Sequence, residues 1–345
     1  MSILSKTSKT RNFLSENGHP GRWMIAGLCG VLVSLIFSIG LGAVWIPPSI
    51  ILDSLTSFTP DLIEHQLIHE IRIPRALTAA LVGAALAVAG TLMQGLTRNP
   101  LADPSIIGIT QGSALFIAIA LAFFTNLSYW LLLGWSFMGA ALGAILVLLF
   151  SVVSKEQLSP VTLTLAGAAL SMLFSSLSTG IALYYQVSQD LSFWFAGGLS
   201  GAKWIHVYIL FPTVIAGLAI AFIMSRSLTT LTMGDDIATG LGHSLHLVRW
   251  LSLAAVVLLS GAAVSIAGAI GFIGLVVPHI VRSLVGVDYR YILPLSAILG
   301  SFLLVVADIG ARMINPPFET PVGAITALIG VPFFLYLARV KGRSM

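Results

Sequence analysis

Residues 23–45 read Trp23-Met-Ile-Ala-Gly-Leu-Cys-Gly-Val-Leu-Val-Ser-Leu-Ile-Phe-Ser-Ile-Gly-Leu-Gly-Ala-Val-Trp45, without one charged side chain. A hydrocarbon core of about 30 Å takes about 20 residues of helix, so this run is long enough to cross a bilayer. Lys6, Lys9, Arg11 and Arg22 stand ahead of it, as they would ahead of a signal peptide. The run is too long for one, has no A-x-A-like cleavage site and is followed by others like it, so it reads as a retained first helix. Apolar stretches broken by Pro, Gly and charge clusters place further spans near 75–96, 105–124, 130–153, 160–186, 206–224, 248–269, 272–285, 291–313 and 321–339. The expected fold is all-α, a polytopic membrane bundle of about ten transmembrane helices.

The composition agrees. Of 345 residues, 57% are apolar and 9% charged, and the mean hydropathy is +0.99. A soluble domain carries about 25% charged residues and could not cover this much apolar surface, so a soluble globule is excluded. The one cysteine, Cys29, lies inside the first run, which leaves neither a disulfide framework nor a Cys-rich metal or cluster site.

Placing the N-terminus in the cytoplasm leaves only Arg72, Arg75, Lys203 and Arg312, of the 17 Lys and Arg residues, on the outer face. That asymmetry satisfies the positive-inside rule and requires an even number of spans, so both termini are expected in the cytoplasm of a multi-pass membrane protein. Trp45, Trp130, Trp194 and Trp204 then fall at outer boundaries and Trp23 and Trp250 at inner ones, as interfacial belts do. The division is a cytoplasmic tail over 1–22, a transmembrane domain over 23–340 with a cytoplasmic segment at about 225–249, and a cytoplasmic tail over 341–345.

The eighth span is short and carries a helix breaker in Gly271-Phe-Ile-Gly274-Leu-Val-Val-Pro278-His279. Irregular backbone at membrane depth must be covered by protein or line a cavity, so this segment belongs inside the bundle. Gly83-Ala-Ala-Leu-Ala-Val-Ala-Gly90 is echoed by Gly261-Ala-Ala-Val-Ser-Ile-Ala-Gly268, and the same offset aligns Pro100 with Pro278. The echo fits an inverted repeat of the kind transporters use; equally, such small residues let helices pack closely without any repeat.

No G-x-x-x-x-G-K-[ST] loop occurs, so the chain has no recognisable means of splitting a nucleotide and is not expected to be an enzyme. Asp308 and Arg312 stand at i and i+4 inside a span and can neutralise each other. Further membrane carboxylates are too few for a proton relay, which disfavours a stand-alone secondary transporter. His65 and His69 could grip a metal at i, i+4, but the order is not H-E-x-x-H and no third ligand is evident, which favours an amphipathic surface helix. Arg72 and Arg75 open the second span on the outer side, against the inside bias of the other basic residues. With Arg312 they read either as headgroup anchors or as a docking spot for carboxylates on an external partner. In the cytoplasmic segment, Met233-Gly234-Asp235-Asp236-Ile237-Ala238-Thr239-Gly240-Leu241-Gly242 suggests a short helix, with carboxylates at its positive end and glycines to stop it.

Taken in order, Arg72-Ile-Pro-Arg75, the Gly83–Gly90 stretch leading to Gln94, Arg98-Asn-Pro-Leu-Ala-Asp-Pro104, Leu165-Ala-Gly167, Gly197-Gly198, Gly234 to Gly242, Gly268 to His279, Ala307-Asp308 with Arg312, and Pro321-Val-Gly323 resemble the FecCD-type permeases. These are the membrane subunits of ATP-driven importers for iron-siderophore complexes, haem and cobalamin. The resemblance implies a fold like that of the cobalamin-importer permease, in a bacterial cytoplasmic membrane. It implies import of a ferric siderophore, with haem or cobalamin as alternatives. It also implies a second permease subunit, identical or related, and a path lined by Ser159 to Tyr185 and Thr320 to Tyr336. A pair of cytoplasmic ATP-binding-cassette ATPases would hold the ATP and magnesium and receive Gly234, Asp235, Asp236, Ala238, Leu241 and Gly242. An extracytoplasmic substrate-binding protein would dock on Arg72, Arg75 and Arg312. No cofactor or metal in this chain and no nucleic acid are expected; membrane lipid is.

Overall fold

The computed structural model describes residues 20–42, 44–124, 127–153, 160–242 and 244–341. Lys6, Lys9, Arg11, Lys155, Ser159 and Arg343, together with most of both expected tails, lie outside the described residues. The described residues form helices joined by short connections: α1 (Pro20–Gly40), α2 (Pro48–Thr56), α3 (Ile63–Gln66), α4 (Ile73–Thr97), α5 (Ile109–Phe123), α6 (Tyr129–Val153), α7 (Pro160–Tyr184), α8 (Ser188–Ala196), α9 (Trp204–Met233), α10 (Asp235–Gly240), α11 (Leu245–Ala267), α12 (Ile273–Val285), α13 (Tyr289–Met313) and α14 (Val322–Lys341). Among the described residues there is no strand. Seven helical segments are long and apolar enough to cross a membrane, and α5, α12 and α14 are shorter apolar helices. Together they make the ten expected from the apolar runs.

A π-helical stretch, Leu67–Arg72, joins α3 to α4 without a break. Pro74 has no N–H to give the Glu70 carbonyl, so the α-helical ladder loses a bond here and the wider winding fits. The resulting helix Ile63–Thr97 is the pillar of the bundle. Its most apolar window is 83% buried, against 17% for α1, and α9, α11, α12 and α13 pack around it. Outside the membrane end of α4, the two histidines secure α2. His65 Nδ1 accepts from the Thr59 N–H at 3.1 Å, and His69 Nε2 lies 3.0 Å from the Ser54 carbonyl oxygen.

The α4–α13 contact explains the small residues. A Cβ on Gly83 would lie 2.8 Å from the Gly300 carbonyl carbon and 2.9 Å from Leu304 Cβ, so the two backbones touch where both side chains are absent. Thr91 Oγ1 lies 3.0 Å from Ser296 Oγ and Ser301 Oγ donates to the Ala80 carbonyl at 2.7 Å, adding polar ties across the same seam.

Both halves of the sequence echo are followed by a break and a short helix. After α4 the chain turns at Arg98 and passes through a 3-10 turn, Pro104–Ile107, before the 15-residue α5. After α11 it breaks at Gly268 before the 13-residue α12. Gly268 adopts φ 68° and ψ −153°, a region open only to glycine, and Gly198 N–H donates to the buried Ala267 carbonyl at 3.0 Å. The irregular segment is therefore lined by protein, as its depth demands. The two breaks meet around a cavity of about 200 Å³ bounded by Asp103, Ser105, Ile270 and Gly271.

Substituting Gly83→Val should destabilise the fold by about 1–3 kcal/mol through overpacking of this seam. Gly134→Ala, where nothing lies within 4 Å, should leave stability unchanged or slightly raised. Thermal unfolding of the purified chain in detergent checks both, and equal midpoints for the two variants would refute the seam.

Candidate functional site

The three outer arginines come together, but they face inward. Arg72 (6% exposed) donates from Nη1 to the Ile39 and Gly40 carbonyls at 2.7 and 2.8 Å and from Nη2 to the Val44 carbonyl. It thereby supplies donors to the C-terminal carbonyls of α1, which have no partner within their own helix. Arg312 donates to the Ser38 and Leu41 carbonyls, each at 3.1 Å, and to Ser38 Oγ at 2.7 Å. A Cβ on Gly42 would be 3.4 Å from Arg72 Nη2 and 3.6 Å from Arg312 Nη1, so the two guanidinium groups flank the chain as it leaves α1.

Asp308, with no exposed surface, lies at the centre. Arg75 Nε and Nη2 donate to Asp308 Oδ1 at 3.0 and 2.9 Å, and Arg312 Nη2 pairs with Asp308 Oδ2 at 3.1 Å. The expected i, i+4 neutralisation of Asp308 by Arg312 is thus present, and a second arginine joins it from α4. Arg75 Nη1 also donates to Glu319 Oε1 at 2.6 Å, and the Glu319 side chain is 43% exposed. Glu319 is the solvent-reaching carboxylate among the described partners of Arg75, and nothing local in its sequence marks it.

At the opposite end of α4 the chain builds a second site around α10. Gly234, at φ 137° and ψ 151°, makes the sharp turn out of α9, and Gly242, at φ 81°, follows α10 on its far side. The flanking glycines read from sequence therefore serve backbone geometry. Asp235 turns back to the bundle: Arg98 Nη2 pairs with its Oδ1 and Arg249 Nη2 with its Oδ2, the latter at 2.9 Å. Arg98 Nε also reaches the Leu231 carbonyl at 2.9 Å. Ala238 is buried, while Asp236 and Leu241 are exposed. Of the six residues expected at a cytoplasmic contact, Asp235 and Ala238 thus face the chain itself. Ile237, absent from that expectation, is exposed with Leu241 at i, i+4 beside Asp236, and Met233, exposed at the end of α9, lies on the other side of the Gly234 turn. The Ile237–Leu241 spacing was readable in sequence; the Arg98–Asp235 anchor, 137 residues apart, was not.

α7 and α14, where the path was expected, carry exposed apolar side chains, among them Leu165, Met172, Leu183, Leu328 and Leu335. Among the described residues, no group of three or more His, Cys, Asp or Glu is placed to hold a metal.

This architecture of apolar helices crossing a bilayer, with a short helix between two of them, is that of an integral membrane permease. The chain belongs to the FecCD transport family, whose model matches residues 30–340. It is 53% identical over 322 residues to the iron(3+)-hydroxamate import system permease protein FhuB of Bacillus subtilis (strain 168), covering 93% of this chain and 84% of that protein. To the ferric enterobactin transport system permease protein FepD of Escherichia coli (strain K12) it is 39% identical over 317 residues, covering 91% of this chain and 94% of that one. A solved metal-chelate type ABC transporter in an inward-facing conformation superposes with a TM-score of 0.81 at 30% identity, over 92% of this chain and 99% of that one.

Replacing Asp308 by Asn should lower stability by about 3–5 kcal/mol, because it strips the carboxylate charge from two buried guanidinium groups. Glu319→Gln, at a half-exposed position, should cost no more than about 1 kcal/mol. Thermal unfolding in detergent measures both, and a mild effect of Asp308→Asn would mean that the network does not hold the bundle.

Proposed function

We propose that this chain is the membrane permease subunit of an ATP-binding-cassette importer that carries a ferric siderophore into the cytoplasm. The observation that carries the reading is α10, a short helix fixed to the bundle by one carboxylate and presenting Ile237 outward, with Leu241 exposed just past its end. An apolar patch on a firmly seated helix suits a groove on a partner and transmits its motion. In this reading the partner is a separate cytoplasmic ATPase pair that holds the ATP and magnesium. The residues touching it are Met233, Asp236, Ile237 and Leu241, while Asp235 positions the helix. Both termini are cytoplasmic, and the exposed faces of α7 and α14 are met by a second permease subunit and by lipid. ATP binding and hydrolysis drive the pair between outward- and inward-open shapes. The hydroxamate and enterobactin permeases among the relatives support an iron chelate as cargo.

On the outer side we assign the arginine site to docking of a substrate-binding protein. Two guanidinium groups, those of Arg75 and Arg312, stand there against the carboxylates of Asp308 and Glu319, with Arg72 held beside them on backbone carbonyls, and Glu319 is accessible enough for an incoming carboxylate to take its place on Arg75. Opposite charges at such a rim steer and register a partner.

Three measurements test these assignments. Supplied with its ATPase and binding protein, the chain should accumulate iron from a ferric hydroxamate in cells lacking their own permease; accumulation of cobalamin but not the chelate would reassign the cargo. Ile237→Glu with Leu241→Glu should abolish uptake while leaving the thermal midpoint unchanged, and full uptake would remove α10 from the coupling path. Glu319→Gln should tighten docking of the binding protein several-fold at low salt, the gain fading as salt rises; unaltered docking would refute the exchange.

A further inference from the structure

At the inner end of α4 a cavity of about 200 Å³ is lined by Gln94, Arg98, Thr232, Arg282, Val287 and Tyr289, among others. Arg282, on α12, is partly buried; it donates to the neutral Gln94 Oε1 and shares the cavity lining with the neutral Tyr289 hydroxyl. Gln94 is held in place for this, because its Nε2 donates to the Gly274 carbonyl at 3.2 Å. A guanidinium carries more donors than these two groups use. The carboxylates nearby are committed elsewhere. Asp235 is shared between Arg98 and Arg249, and Asp288 is taken by Arg290, whose Nη2 lies 2.6 Å from its Oδ2. Among the described residues, no carboxylate is within ion-pair distance of Arg282.

A half-buried cation without a counter-charge, at the rim of a hydrocarbon layer, is costly unless an anion joins it. We propose that this cavity binds a phosphoryl oxyanion, with Arg282 as its main ligand, assisted by Arg98 and by the Tyr289 hydroxyl, whose proton remains free to donate. Basic pockets between helices on the cytoplasmic side suit anionic lipid headgroups. Val287, 68% exposed, gives this one an apolar lip for the glycerol end of such a lipid. Free phosphate offers the same oxygens. The placement at the inner leaflet rests on the orientation given above; the binding chemistry does not.

The test uses the full chain, purified in detergent and stripped of lipid. Its unfolding midpoint is followed against phosphatidylglycerol, inorganic phosphate, and phosphatidylcholine, whose phosphate brings its own cation. Phosphatidylglycerol should raise the midpoint, as a ligand of the folded state does, and phosphatidylcholine should not. Val287→Glu places a carboxylate beside Arg282 from an exposed position and should weaken the half-saturating concentration on the order of tenfold. Arg282→Gln should act alike, and Arg226→Gln, at an exposed position on α9 outside the cavity, should respond like the parent chain. Should Arg282→Gln fail to melt cooperatively, Val287→Glu alone decides. A response to inorganic phosphate with the same sensitivity to Val287→Glu assigns the cavity to the free anion and upholds the proposal. A phosphatidylglycerol response that Val287→Glu leaves unchanged, or no response to either anion, overturns it. None of these results depends on transport, so they stand apart from the fate of the import reading.

Discussion

Asp308 has no contact with solvent, yet it holds two guanidinium groups that reach it from different helices. Arg75 comes from α4 and Arg312 from its own helix, α13. Arg312 continues to Ser38 and the carbonyls at the end of α1. One carboxylate thereby joins three membrane helices at one end of the bundle, tying in α1, whose most apolar window is only 17% buried. In hydrocarbon such charges are tolerable only while they remain paired and fully hydrogen-bonded. The geometry of this end of the bundle follows from that requirement.

α4 carries this constraint to the other face. It has Arg75 in its first turn and Arg98 just past its last, and its 25 residues span about 38 Å at the usual rise. Arg75 belongs to the Asp308 network and Arg98 to the Asp235 anchor of α10. A buried, continuous helix thus ends in a charged clamp on each side of the membrane. A partner gripping α10 and one meeting Glu319, as the import reading has them, would both act on the same rod.

Much of this was legible in the sequence, and the parts that were not share a cause. Uncharged runs of membrane-spanning length announced ten helices, since hydropathy reports burial in lipid directly. The start of the pillar was legible only in part: His65 and His69 at i, i+4 favoured a surface helix, and that helix winds on into α4. The pairing of Asp308 with Arg312 could be read because i and i+4 share a helix face, and Gly234 and Gly242 announced a turn. The link from Arg75 to Asp308, across 233 residues, has no local signature, and neither has Glu319. The arginines were expected to look outward because a lone sequence carries no information on which acceptors lie opposite. The same ignorance made Asp235 appear a contact residue when its carboxylate faces the bundle.

The glycine seam between α4 and α13 has a mechanical meaning of its own. With backbone against backbone at Gly83 and Gly300, there is no cushion of flexible side chains to let one rod slip or roll over the other. Packed interfaces of this type switch between discrete arrangements or do not move at all. The pair must travel as a single stiff plank through any cycle of opening and closing, and the bending has to be taken up by the glycine-jointed connections around it.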